Sequence, residues 1–233
     1  MNEEISRRRS RPVTKKSKIK KNKPAMALAI IIVLMLIFSG VYVIFSSMAP
    51  SKKYNTNYPV AVINTTMGTI AVELYTDKVP ITAGNFIDLA NSGYYNGITF
   101  HRVIEDFMIQ GGDPKGDGTG GHAAEYHEGY GDPDNPDTWV IPDEFHEDLS
   151  NIRGTISMAN KGADTNTGGS QFFINVKDNN HLDFNNDERY KHAVFGKVID
   201  GMDVADAISL VDTDPANNKP YTDVVINSIT IIE

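Results

Sequence analysis

From Val60 onward the chain alternates apolar and polar positions with the period of a strand. VAVINT, Val60 to Thr65, and TIAVELY, Thr69 to Tyr75, are rich in β-branched residues, and Thr66-Met67-Gly68 between them predicts a hairpin. The period then lengthens. In KVPITAGNFIDLANSGYY the apolar residues Ala83, Phe86, Ile87 and Ala90 return at helical spacing, with Thr82 as the expected N-cap and Gly93 where the helix should stop. ITFHRVIEDFMIQGGDP, Ile98 to Pro114, reads as two short strands about the turn Glu105-Asp106. Further strands are predicted over Gly154 to Met158, Gln171 to Val176, Ala193 to Ile199 and Val224 to Ile232, and a second helix over Met202 to Leu210 behind Asp200-Gly201. About eight short strands with only two helices predict a mainly β fold, a closed antiparallel barrel whose ends the helices plug, because closure removes exposed strand edges.

Between Gly111 and Arg153 the pattern lapses into a long Gly- and Pro-rich region that includes GGDPKGDGTGG and GYGDPDNPDTWVIPDEF. Loops of this length are uncommon in compact domains and tend to carry function. Trp139, the only tryptophan, is expected to anchor this loop by packing.

Upstream of the alternating region, Ala25 to Ser47 is an uncharged apolar run, long enough for a helix that crosses a bilayer. Ten of the 22 Lys and Arg residues lie within residues 1–24, against only Glu3 and Glu4, so the tail carries about +8 and the remainder about −16. Basic flanks stay in the cytoplasm. The expected organisation is therefore a basic cytoplasmic tail (1–24), a transmembrane helix (25–47), a polar tether (48–58) and a soluble domain (59–233) outside the cell membrane, held by a single pass. A cleaved signal peptide is the alternative, but the run exceeds the usual signal core and Pro50 follows the small-residue site Ser47-Met48-Ala49. The acidic remainder argues against nucleic acid as a partner. The absence of cysteine excludes disulfides, thiol catalysis and cysteine-ligated zinc.

Within the apolar stretch from Ile98 to Pro114, Arg102 and Gln110 are out of place. Taken alone, Arg102 reads as a structural arginine paired with Glu105 or Asp106. Four segments change that reading: FHRVIEDFMIQGGD, DGTGG, ISMANKGADTNTGGSQFFI and HAVFGKVIDGM, in this order and at workable spacing. Together they closely resemble the cyclophilin family of peptidyl-prolyl cis-trans isomerases, over essentially Pro59 to Glu233. With its anchor, the chain looks like a membrane-anchored, prokaryotic-like member. The resemblance implies an eight-stranded antiparallel barrel with two capping helices, no cofactor and no metal. It implies Arg102 as the catalytic arginine, assisted by Gln110, and Phe107, Met108, Phe173, Leu182 and His192 as walls of a proline pocket. Gln110, Ala159, Asn160 and Gln171 would form the groove for the peptide, with Gly118 and Thr119 at its side. The sequence departs from the pattern at His181, often Trp in eukaryotic members, and in FNNDERYK, Phe184 to Lys191, where many members are shorter.

Those residue types suit that chemistry. Rotating a peptide bond breaks amide resonance at a barrier of roughly 18–20 kcal/mol, with no bond made or broken, so neither nucleophile nor metal is required. A guanidinium can donate to the prolyl nitrogen once its lone pair is freed. The period-two pattern can put Arg102 and Gln110 on one face of paired strands, where the amide oxygen would hold the guanidinium. His101 then points to the opposite face and reads as structural. In Phe172-Phe173, alternation sends one ring to the core and the other to the groove. His122, Glu125, His127 and His146 match no zinc spacing, and the run from Asp183 lacks the glycine and closing glutamate of a calcium loop. Two functions follow: an isomerase acting on proline-containing unfolded or flexible polypeptides, or a module that captures such segments as a chaperone without turnover.

Overall fold

The computed structural model describes residues 54–162, 166–185 and 190–233. The basic tail, the predicted membrane helix and residues 48–53 of the tether lie outside the described residues. Among the described residues no helix is long and apolar enough to cross a membrane.

Eight antiparallel strands form one sheet: β1 (Val60–Thr65), β2 (Gly68–Leu74), β3 (Arg102–Ile104), β4 (Met108–Gly111), β5 (Thr155–Met158), β6 (Phe172–Asn175), β7 (Val194–Asp200) and β8 (Ile226–Ile232). Their order across the sheet is β3-β4-β6-β5-β7-β2-β1-β8. The first hairpin pairs in strict register from Val60 opposite Glu73 to Thr65 opposite Gly68. Strands β5 and β6 are buried at every position, as a strand covered on both faces requires.

The sheet curls into a half-barrel and does not close ladder to ladder, which corrects the closed barrel expected from the strand count. The edge strands β3 and β8 share no ladder. The gap is bridged ahead of both of them, where Thr99 pairs with Val225 and the amides of Phe100 and Ile226 bond to Val224 O and Ile98 O. On its outer side β3 is met by a loop and not by β8, with Val103 N donating to Asn218 O at 2.9 Å.

Helix α1 (Pro80–Asn91) lies against β7 and β8, and α2 (Met202–Ser209) against β2, β3 and β4. The start of α1 differs from expectation. Val79 is the cap residue and Pro80 opens the helix, its fixed φ suited to that position, so Thr82 sits inside the first turn. Val79 offers no capping oxygen. Glu144 supplies one from the long loop, accepting from Thr82 N at 2.6 Å. The helix ends as predicted: Gly93 is left-handed (φ 75°), its N–H bonds to Ala90 O, and Tyr94 N to Leu89 O, a Schellman closure.

Phe86, projecting from α1, meets Tyr95, Phe172 and Phe195 with ring centroids 5.1–5.3 Å apart, which ties the helix to the inside of the sheet. Trp139 holds the long loop as expected, packed on the core edge and donating from its indole to Asp132 O at 2.9 Å.

Candidate functional site

Strands β3 and β4 are joined by a turn at Glu105-Asp106, where Asp106 adopts a left-handed φ of 53°. Their register puts Arg102 directly opposite Gln110, and β6 continues the row with Phe173 opposite Gln110. Arg102 forms no ion pair with Glu105 or Asp106. Its Nη1 donates to Gln110 Oε1 at 3.2 Å and lies 4.0 Å from Met108 Sδ. The chain of bonds continues: Gln110 Nε2 donates to Gln171 Oε1 at 2.9 Å, and Gln171 Nε2 to Gly120 O at 2.8 Å and Gly118 O at 3.1 Å. A planar cation is thus held at the end of a relay of amides anchored in the Gly-rich loop. Burial lowers the guanidinium pKa from its ordinary value, yet an arginine stays charged at neutral pH.

Beside the guanidinium lies a small apolar cluster separate from the main core. Met108, Phe173 and Leu182 are its buried members, with Phe107, Ile104 and Ala159 packed against them. The two phenylalanines of β6 diverge as alternation demands: Phe172 faces the aromatic core, Phe173 this cluster. His181 stacks on Phe107, ring centroids 5.9 Å apart, and so occupies the rim. His192 meets Phe173 edge-on at 5.2 Å, with Nδ1 3.0 Å from Met158 O. Burial first, and then the charge of Arg102, lowers the His192 pKa, which favours neutral imidazole.

The remaining sequence-predicted residues gather alongside. Gln110, Gly118, Thr119, Ala159, Asn160 and Gln171 all line one open cleft of about 620 Å³. Ala159 N bonds to Gln171 O at 2.9 Å, and the Asn160 side chain reaches Lys191 O at 2.7 Å, so this edge is braced from both sides. Two parts of this wall escaped the sequence reading. Asp137 and Thr138 of the long loop also border the cleft. Asp113, buried to 1% exposure, accepts from the amides of Lys115, Asp117 and Gly118, and so shapes the turn that presents Gly118 and Thr119. Its signal was the short spacing of GGDPKGDG, an Asp followed by glycines able to turn their N–H groups back onto it. Gly112, just before it, has φ 86°, and a Cβ there would collide with Ser170 O.

His101 does not line the cleft and is buried, its ring lying behind the turn at Gly118. Neither ring nitrogen has a hydrogen-bond partner among the described residues, and burial lowers its pKa. Among the described residues no group of three or more acidic or histidine side chains is placed to hold a metal ion. Part of the run after Asp183 lies outside the described residues.

An apolar cluster of Phe107, Met108, Phe173 and Leu182 sits next to a fixed cationic donor, with a polar cleft alongside, an arrangement suited to non-covalent chemistry.

Comparison with known proteins meets this geometry. The family profile described as cyclophilin type peptidyl-prolyl cis-trans isomerase/CLD matches residues 60–231. The chain is 46% identical over 160 residues to "Peptidyl-prolyl cis-trans isomerase-like 1" of Rhizopus delemar, covering 69% of this chain and 85% of that protein. It is 44% identical over 172 residues to "Peptidylprolyl isomerase domain and WD repeat-containing protein 1" of Mus musculus, which covers 73% of this chain. The match spans only 24% of that mouse relative's length. Among solved structures, a cyclophilin type peptidyl-prolyl cis-trans isomerase of Cryptosporidium parvum, determined in the presence of the dipeptide Ala-Pro, is similar with TM-score 0.64 and 32% identity. It covers 75% of this chain and 99% of that one.

Proposed function

Because the chain belongs to the cyclophilin-type peptidyl-prolyl cis-trans isomerase family, we propose that its residues 59–233 accelerate rotation about X-Pro bonds in folding polypeptides, with Arg102 stabilising the twisted amide. Uncatalysed exchange takes about 10–100 s at 25 °C, slow enough to limit folding. Only preferential binding of the twisted state removes that delay. The proline ring enters the recess of Phe107, Met108, Phe173 and Leu182, with His181 and His192 at its edge. The flanking chain lies along the cleft of Gln110, Gly118, Thr119, Ala159, Asn160 and Gln171. As the amide twists, its nitrogen becomes pyramidal and basic, and the Arg102 guanidinium donates to it.

The observation that carries this reading is the 3.2 Å bond that fixes Arg102 to Gln110 at the lip of the apolar cluster. A donor already oriented pays no reorganisation cost when the amide twists. Capture of Pro-containing segments alone would need the recess and not the cation, which is why the enzyme is preferred to the capture module.

The domain acts outside the cell membrane, on secreted or membrane proteins, held there by the apolar run from Ala25 to Ser47. Support for this placement is the length of that run and the ten basic residues preceding it. The similar proteins named above come from a fungus, an animal and Cryptosporidium parvum, and none of them favours a prokaryotic-like kinship.

The test uses the full chain in detergent micelles and follows cis-to-trans exchange of an X-Pro peptide. Wild type accelerates exchange, and Arg102→Ala loses most of the acceleration. Peptide binding without any acceleration by wild type would leave only the capture module.

A further inference from the structure

Beneath the apolar recess lies a buried polar network that the mechanism above does not use. Asn151, Asn175, Asn179 and Asp183 are each less than a tenth exposed, and all four interact through side chains. Such a network is costly unless its members are satisfied, and each of these is. Asn175 Nδ2 donates to Thr155 Oγ1 at 3.0 Å. Asp183 accepts from Ser150 Oγ, Asn151 N and Asn151 Nδ2.

One member touches both walls of the recess. The side chain of Asn179 donates to the carbonyl of Phe107 at 2.9 Å and to Asn175 Oδ1 at 2.7 Å. Phe107 closes the β3–β4 turn, and its neighbour Met108 pairs with Asn175 across β4 and β6. The backbone of Asn179 serves the other wall. It caps the single-turn 3-10 helix Asn180–Leu182, with its own carbonyl accepting from Leu182 N at 2.9 Å, while its N–H donates to Asn151 O at 2.6 Å. That short helix carries His181 and Leu182. One residue thus ties Phe107 and Met108 on one side to His181 and Leu182 on the other, sharing the Phe107 carbonyl with Val176 N. The tie does not run through Arg102, which Gln110 and Gln171 hold from the opposite side.

The geometry points to Asn179 as a positioning residue for the proline recess: it fixes the spacing of the two walls and so the affinity for the proline ring, without touching substrate. This rests on the isomerase reading. Because Arg102 is held independently, loss of the Asn179 side chain weakens binding of the ring and spares the turnover of what is bound.

The experiment measures kcat and KM for an X-Pro peptide, and peptide affinity by titration, on the full chain in micelles. Asn179→Ala removes the donor and its bulk; Asn179→Leu restores similar bulk without a donor. Both should raise KM about five- to ten-fold with kcat within two-fold of wild type. Asp206→Ala serves as the control for lost stability, since it breaks the surface pair with Arg153 and leaves KM unchanged. Wild-type KM in Asn179→Leu would reduce the role to filling space. Wild-type KM in Asn179→Ala, or an equal rise in Asp206→Ala, would overturn the inference outright. If the Asn179 variants do not fold, amide exchange in the wild type decides: protection of Leu182 N–H and of the Asn179 side-chain amide rises together when peptide binds, and unchanged protection overturns it. An inactive wild type would instead sink the isomerase reading, and the affinities would still report on Asn179.

Discussion

Two histidines, the buried His101 beside Arg102 in sequence and the partly buried His192 against Phe173, differ from that arginine in the charge they carry. Arg102 is charged and needed so, whereas burial keeps His192 and His101 neutral by lowering their pKa values. A depressed histidine pKa means that the unfolded chain takes up protons first as pH falls. Stability is therefore fully present above the unfolded value of about 6.5 and declines as pH drops below it toward the folded values. The groups facing His101 are Asp113, Asp117, Arg102 and Lys219, and those facing His192 are Arg102 and His181. Urea unfolding at a series of pH values should show this decline, and His192→Gln should make it shallower. A decline equally steep in His192→Gln would remove His192 from the account.

At the scale of elements, the long loop acts on the fold from a distance. Glu144 bonds the Thr82 amide at the start of α1, a position that Val79 cannot serve. A carboxylate there also meets the positive end of the helix dipole. Glu144→Ala should cost about 1 kcal/mol of unfolding free energy, the usual value of a lost N-cap. Glu144→Gln, which keeps an acceptor and loses the charge, should cost less; equal stability of all three proteins would show that water caps the helix as well. This contact marks where sequence reading stops. The strands β1 and β2, the Gly93 stop and the Arg102–Gln110 facing pair were legible because each depends on local period or turn chemistry. Pro80 is the local sign that the helix starts at Val79 and not at Thr82, but no local pattern announces that Glu144, 62 positions away, meets the Thr82 amide. Asn179 was passed over for the same reason: its partners Phe107 and Asn151 are brought to it only by the fold. The open edge between β3 and β8 was equally hidden, since strand count alone does not say which edges meet.

For the whole molecule, the charge division of the chain makes a placement testable. A basic tail of about +8 and a remainder of about −16 are separated by one apolar run. Protease added to intact cells should digest the domain and spare the tail; loss of the tail with the domain intact would reverse the orientation. The site as a whole unites pieces far apart in sequence, with Arg102 and Gln110 from one hairpin, Gln171 and Phe173 from β6, and Leu182 and His192 beyond it. What that union is proposed to achieve is selective stabilisation of a twisted amide, and the Arg102→Ala variant separates this from mere grip. A single preorganised donor to developing charge is worth about 2.7–4 kcal/mol, or roughly 100- to 1,000-fold in rate. Exchange spectroscopy on one X-Pro peptide gives both the catalysed rate and the affinity. The account predicts a fall of that size in the catalysed rate with affinity for the peptide within about three-fold of wild type. A loss of affinity that matches the loss of rate would contradict it, for Arg102 would then hold the ground state and the twisted state alike.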